Sequence, residues 1–211
     1  MKAKVLLVAA LAALSLSANA QIEGVEFGAD LGLGYIHGAD KRINGNIGCN
    51  LGLTMIQGMA AGWFYTHLNT NSKVDHRFNR YFGDDEFLYR SNYTGLYFKK
   101  TFFPKKLLRF SALVKGGIGG TNYSNHVVTN GDDDDSGIGT LHQKADKCFV
   151  TVVEPGAQLE LKIRGEGIIF SLGATYRKYG NLKLYCNDKK IASADDLDGV
   201  TVYFGVTLRT N

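Results

Sequence analysis

Ten charged residues recur at alternate positions within otherwise apolar segments: Glu26, Asp30, Lys99, Arg109, Lys115, Glu154, Glu160, Lys162, Arg177 and Arg209. In an extended chain, residues two apart share a face. These charges therefore all fall opposite the Leu, Val, Ile and Phe of the same segments. Mixed signs gathered on one face can pair with each other, which is what buried charges require. Two cysteines, Cys148 and Cys186, are candidates for a disulfide in an oxidising compartment. Cys49 alternates with apolar residues and reads as a small apolar side chain. No cysteine pair has the C-x-x-C spacing of a metal site. The run Asp132 to Asp135 offers hard oxygen ligands, but it lacks the spaced carboxylates and glycine of a calcium loop. It reads as a solvated loop. A serine nucleophile needs its base within hydrogen-bond reach, and nothing in the sequence fixes such a distance. No catalytic, cofactor or metal site is expected.

The segments that carry these residues read as β-strands. Val200, Val202, Phe204, Val206 and Leu208 alternate with Thr201, Tyr203, Gly205, Thr207 and Arg209, the period of a strand with one apolar face. Seven earlier stretches repeat this pattern: Val25–Ile36, Gly45–Met55, Met59–Leu68, Tyr93–Phe102, Leu107–Gly119, Cys148–Ile163 and Ile168–Lys178, before Gly199–Arg209. At about ten residues, such strands are long enough to cross a bilayer when tilted. The third, with Trp63-Phe64-Tyr65, is apolar on both faces, so its inward set depends on the length of the turn at Gln57-Gly58. Pro155 lacks a ladder N–H and predicts a bulge or a non-hydrogen-bonding site. Connections alternate between long and short. Antiparallel up-and-down order then gathers the long loops at one end and the tight turns, with both termini, at the other.

The N-terminus reads as a leader. Lys2 and Lys4 precede an apolar run from Val5 to Leu16, and Ala18-Asn19-Ala20 is a small-x-small cleavage site. Residues 1–20 are thus assigned to a signal peptide and 21–211 to one β-barrel domain. The formal charge of the chain is +4, and loss of Lys2 and Lys4 leaves 22 basic against 20 acidic residues. No clustered basic face suggests nucleic-acid binding. No later apolar run reaches the length of a membrane-spanning helix.

Alternation alone does not decide which face is inside. Glycine does: Gly28, Gly32, Gly48, Gly52, Gly95, Gly117, Gly156, Gly173 and Gly205 lie on the polar face. A solvated sheet gains nothing from residues that weaken strands, whereas a narrow barrel interior needs small residues beside large ones. Phe27, Phe102 and Phe110 near the turn end, with Tyr35 and Tyr176 near the loop end, suit two membrane interfaces. The pattern resembles the eight-stranded outer-membrane β-barrels of the OmpA-barrel and OmpX type. It departs from them in its last strand, where Phe204 rather than a terminal aromatic comes last.

The resemblance implies an all-β, eight-stranded antiparallel transmembrane barrel in the outer membrane, with periplasmic turns and termini and extracellular loops. It implies contact with outer-membrane lipid and lipopolysaccharide, loops facing an unidentified extracellular ligand, and a monomer that anchors and displays those loops. Glu26 and Arg209 would then meet at the periplasmic rim. Two other functions compete with this one. The lipid A palmitoyltransferases, barrels of similar size, use a His, an Asp and a Ser, and His37 with Asp135-Ser136 forms a superficially similar set. A secreted soluble barrel holding a small apolar ligand would instead turn its apolar face inward.

Overall fold

The computed structural model describes residues 22–36, 43–72, 86–128, 140–144, 148–163, 167–180, 183–186, 189–193 and 198–210. The assigned leader, His37, His76, the Asp132 to Asp135 run and Ser136 lie outside them. The described strands are β1 (Ile22–Ile36), β2 (Ile43–Met55), β3 (Met59–Ser72), β4 (Glu86–Phe102), β5 (Leu108–Val128), β6 (Thr140–Lys144), β7 (Cys148–Lys162), β8 (Ile168–Gly180), β9 (Lys183–Cys186), β10 (Lys189–Ser193) and β11 (Gly199–Thr210). Eight of them, β1 to β5 with β7, β8 and β11, form one antiparallel ring. It closes where β11 pairs with β1 from Val25↔Thr210 to Ile36↔Gly199. The fold class is the one the alternation predicts.

The strand registers set the shape. A path across paired inward residues runs Gly24, Thr54, Ala60, Lys99, Leu113, Gly156, Thr175, Thr201 and returns to β1 at Gly34. It comes back ten residues further along the strand. A stagger of this kind forces the strands to tilt and leaves an interior wide enough for side chains alone.

Burial follows the period of two, with the polar face inside. Along β8 and β11, buried and exposed positions alternate for most of the length. Arg109, Arg177, Tyr93 and Glu26 are among the most deeply buried large side chains. By contrast, Leu96 is 71 % exposed and Leu31 63 %.

Three local features refine the sequence reading. The turn after β2 has three residues, Ile56–Gly58, because Met55 pairs with Met59. Gln57 and Gly58 take left-handed φ of 64° and 74° there, which glycine adopts without strain. That turn places Ala60, Phe64, Thr66 and Leu68 inside, and Trp63 and Tyr65 outside. Pro155 makes no bulge: Val153↔Lys178 and Gly156↔Thr175 stay in step, and the ladder to β8 simply lacks pairs at Glu154 and Pro155. The strands also run further than their apolar pattern. β3 and β4 remain paired to Ser72↔Phe87, past the expected strand ends at Leu68 and Tyr93. β5 continues to Val128 and carries the short β6 beside it.

Glycines mark where large side chains cross the interior. A Cβ on Gly52 would collide with the Tyr97 hydroxyl and the Ala61 carbonyl, and one on Gly48 with the Asp30 carboxylate. Gly45, on the same strand, has open space around it. Forcing extra atoms into packed sites costs about 1–3 kcal/mol. Gly52→Val is therefore expected to lower the unfolding free energy in detergent micelles by that order, with a lower urea midpoint. Gly45→Val should leave the midpoint within error, and equal effects at both positions would contradict this packing.

Candidate functional site

The interior contains nine of the ten charged side chains in contact with a partner of opposite sign, stacked in three tiers from the turn end to the loop end. In the first tier, Glu26 faces Arg209 directly across the β1–β11 seam and Arg109 faces Glu160 across β5–β7. Glu26 Oε1 is 2.9 Å from Lys99 Nζ, and its Oε2 is 3.3 Å from Arg209 Nη2. The Tyr97 hydroxyl donates to Glu26 Oε1 at 2.8 Å. Arg109 Nη2 lies 2.8 Å from Glu160 Oε2, a close ion pair without an aligned hydrogen bond. Ser111 and Gln158 donate to Glu160 Oε1 at 2.9 and 2.7 Å. Lys99 reaches that oxygen at 3.7 Å as well, so it bridges the two carboxylates.

The second tier is Asp30 with Lys115, 3.9 Å apart. The Lys115 ammonium also sits over the Phe64 and Tyr203 rings, 5.5 and 5.7 Å from their centroids. An aromatic face attracts a cation most strongly where water is scarce. In the third tier, Arg177 Nη1 is 3.8 Å from Glu154 Oε1, and the guanidinium lies over the Tyr179 ring at 5.6 Å. At 3.8 Å this is an ion pair and not a hydrogen bond. Glu154 Oε1 instead accepts from the Tyr93 hydroxyl at 2.6 Å. Tyr93 packs edge-on against Phe64 and Tyr179, and the Tyr179 hydroxyl donates to Ser91.

Between the first two tiers remains a cavity of about 40 Å³ bounded by Glu26, Asp30, Tyr97, Lys99, Lys115 and Tyr203. At roughly 10–15 Å³ per water it has room for about three. Among the described residues the interior is thus filled by charged side chains of both signs in contact, with little space between these two tiers.

Lys162 shares the inward parity of these residues but is only half-buried at the turn end, and it has no ion pair among the described residues. Cys148 opens β7 and Cys186 closes β9; their side chains lie outside the described residues. Cys49 is a free thiol on the outward face. Sequence reasoning about charges overlooked the tyrosines that complete the carboxylate shells. Their signal was present, since Tyr93 and Tyr97 share the parity of the charges, as do Tyr179 and Tyr203, whose hydroxyls donate to Ser91 and Gln158. Phe64 had no such signal until the turn fixed the face of β3.

Removing one member of a buried ion pair leaves the other charge uncompensated, at about 3–5 kcal/mol. Glu160→Gln, which strands Arg109, should therefore lower stability in micelles by several kcal/mol. Lys162→Gln, at the half-buried rim, should change it by less than about 1 kcal/mol. Chemical denaturation of both variants checks the contrast, and similar losses would contradict the tiered arrangement.

No protein-family model matches the sequence, and neither does any curated protein. Solved structures do. The crystal structure of Neisserial surface protein A superposes with a TM-score of 0.50 at 10% identity, covering 89% of this chain and 96% of that one. A major outer membrane protein from Thermus thermophilus gives a TM-score of 0.50 at 10% identity, covering 88% and 99%. Identity this low speaks to the fold alone. The chain has the fold of the small eight-stranded outer-membrane β-barrels.

Proposed function

We propose that the protein is an integral outer-membrane barrel that anchors and displays its external loops, in a structural, adhesive or binding role. The observation that carries this reading is the inversion of the barrel. Arg109, Arg177, Glu26 and Glu160 are buried, while Leu96, Leu31, Leu33, Leu108 and Phe204 ring the outside. A chain in water would gain by the opposite arrangement, since burying charge costs free energy and exposing apolar surface forgoes it. In a bilayer the apolar surface is matched by lipid, and a closed ring gives every strand two partners for its backbone groups.

Aromatic residues support the same orientation of faces. Phe102 stacks on Phe110 near the turn end, and Phe27 lies on that outward surface too. Tyr35, Tyr65 and Tyr176 are exposed toward the loop end. Short turns at Ile56–Gly58 and Phe103–Lys106 are assigned to the periplasm, together with the termini. The long connections are assigned to the cell exterior, where loops on a rigid scaffold carry recognition. The chain is read as a monomer, with residues 1–20 as a cleaved leader and 21–211 as the barrel. Interior carboxylates are matched by cations and tyrosines, which suits scaffolding; no catalytic role is assigned to them.

Folded barrels of this kind resist detergent until heated. The mature protein is therefore expected to migrate differently on gels before and after boiling and to stay with membranes through a carbonate wash. A tag inserted at Gly131 should be reached by antibody on intact cells. Release by carbonate without detergent would overturn membrane integration, and a tag labelled only after lysis would reverse the orientation.

A further inference from the structure

One sector of the outward face is not apolar. On β3 and β4, directly paired residues at the loop end form a polar ladder: Tyr65 with Thr94, His67 with Asn92, and Asn69 with Arg90. The neighbouring strands at the same level carry Ile47, paired with His67 and 57 % exposed, and Ile118, paired with Thr94 and 51 % exposed. These two isoleucines border the lower half of the ladder; further toward the loops β5 sets Gly120 beside Asn92 and Asn122 beside Arg90.

The ladder is internally organised. Asn92 Oδ1 accepts from the Tyr65 hydroxyl at 2.9 Å and meets His67 Nδ1 at 2.6 Å. A carbonyl oxygen only accepts, so His67 Nδ1 is the donor in this contact. His67 Nε2 and the Asn92 amide N–H groups then have no protein partner among the described residues. Arg90, one register step further toward the loops, is exposed and has no ion pair among them. None of the six ladder residues is a carboxylate.

Toward the middle of the barrel the same two strands turn apolar, with Trp63 paired to Leu96, both exposed. The sector therefore passes from an apolar foot to a donor-rich, cationic head along one line. That sequence of chemistries matches a lipid whose acyl chain lies below a phosphorylated headgroup; a free anion would not need the apolar foot. Guanidinium and amide donors are suited to phosphate oxygens. We infer that this ladder seats the phosphorylated headgroup of an outer-leaflet lipid, with an acyl chain against Trp63 and Leu96. The inference rests on the membrane orientation proposed above.

Trp63 is the single tryptophan of the chain and lies at the foot of the site, so its fluorescence reads occupancy. The mature barrel in phosphatidylcholine nanodiscs is titrated with bisphosphorylated lipid A and, separately, with the dephosphorylated form bearing the same chains. A saturable Trp63 change with the phosphorylated form alone is expected. Arg90→Gln should weaken it about tenfold, the loss typical of one charged hydrogen bond, and Arg90→Lys should restore part of the affinity. Lys178→Gln, on the outward face of β8, should leave it unchanged. Equal responses to both lipids, or an unaltered Arg90→Gln titration, would overturn the assignment. So would the same response to inorganic phosphate, or one that tracks protein density and so marks a second copy. Failure of the protein to enter nanodiscs as a heat-modifiable barrel would remove the orientation itself, whereas insertion without phosphate-dependent binding removes only this site.

Discussion

The structure depends on one constraint: charges taken out of water inside a ring with no free edge must neutralise one another there. Glu26 illustrates how the chain meets it. Its carboxylate collects Lys99 and Arg209 and a tyrosine hydroxyl from strands on both sides of the seam. Because Arg209 belongs to the closing strand, this cluster also ties β11 to β1, beyond the ladder hydrogen bonds. A buried ion pair is weak evidence for stability when compared with apolar packing, but it is costly to break. The network therefore acts mainly by making alternative registers expensive. A slip of one strand by one residue would send its buried charges outward and its exposed apolar side chains in.

The narrowness of the ring makes that network compact. Small residues stand wherever a long side chain crosses: Gly52 beneath Tyr97, and Gly48 beside Asp30. The stagger between Gly24 and Gly34 brings groups distant in sequence to one level. Lys99 can bridge Glu26 and Glu160 because three different strands present these residues to the same part of the interior. The space left between Glu26, Asp30, Tyr97, Lys99, Lys115 and Tyr203 has the size of a few waters.

Much of this was legible in the sequence because a period of two survives any change of partner. The alternation in Gly199–Arg209 and its seven counterparts defines strands and faces without knowledge of pairing. The glycines on the polar face indicated that this face was the inside. Three things were not legible, each for a physical reason. Phe64 could not be placed while the turn before it had an undecided length, since one residue more or less reverses the face. The extension of β3 past Asn69 is polar, and that of β4 before Asn92 carries Phe87 and Tyr89 on one face and Leu88 on the other, so neither repeats the one-sided alternation and backbone pairing reveals them. The seam between the first and last strands already brought Glu26 and Arg209 together, as found, but the other ion-pair partners depend on the stagger of the closed ring, which no local pattern encodes. Pro155 shows the converse: the sequence warned of a disturbance, and the ring absorbs it by omitting ladder pairs rather than by bulging.

The central claim is that the polar face of the barrel is its interior and the apolar face meets lipid. Spin labels placed singly along residues 199–209 of the protein in bilayers test it most directly, read by their accessibility to oxygen, which concentrates in the acyl region. The arrangement predicts high accessibility at 200, 202, 204, 206 and 208 and low accessibility at the residues between them. The opposite phase, or no period of two, would contradict it.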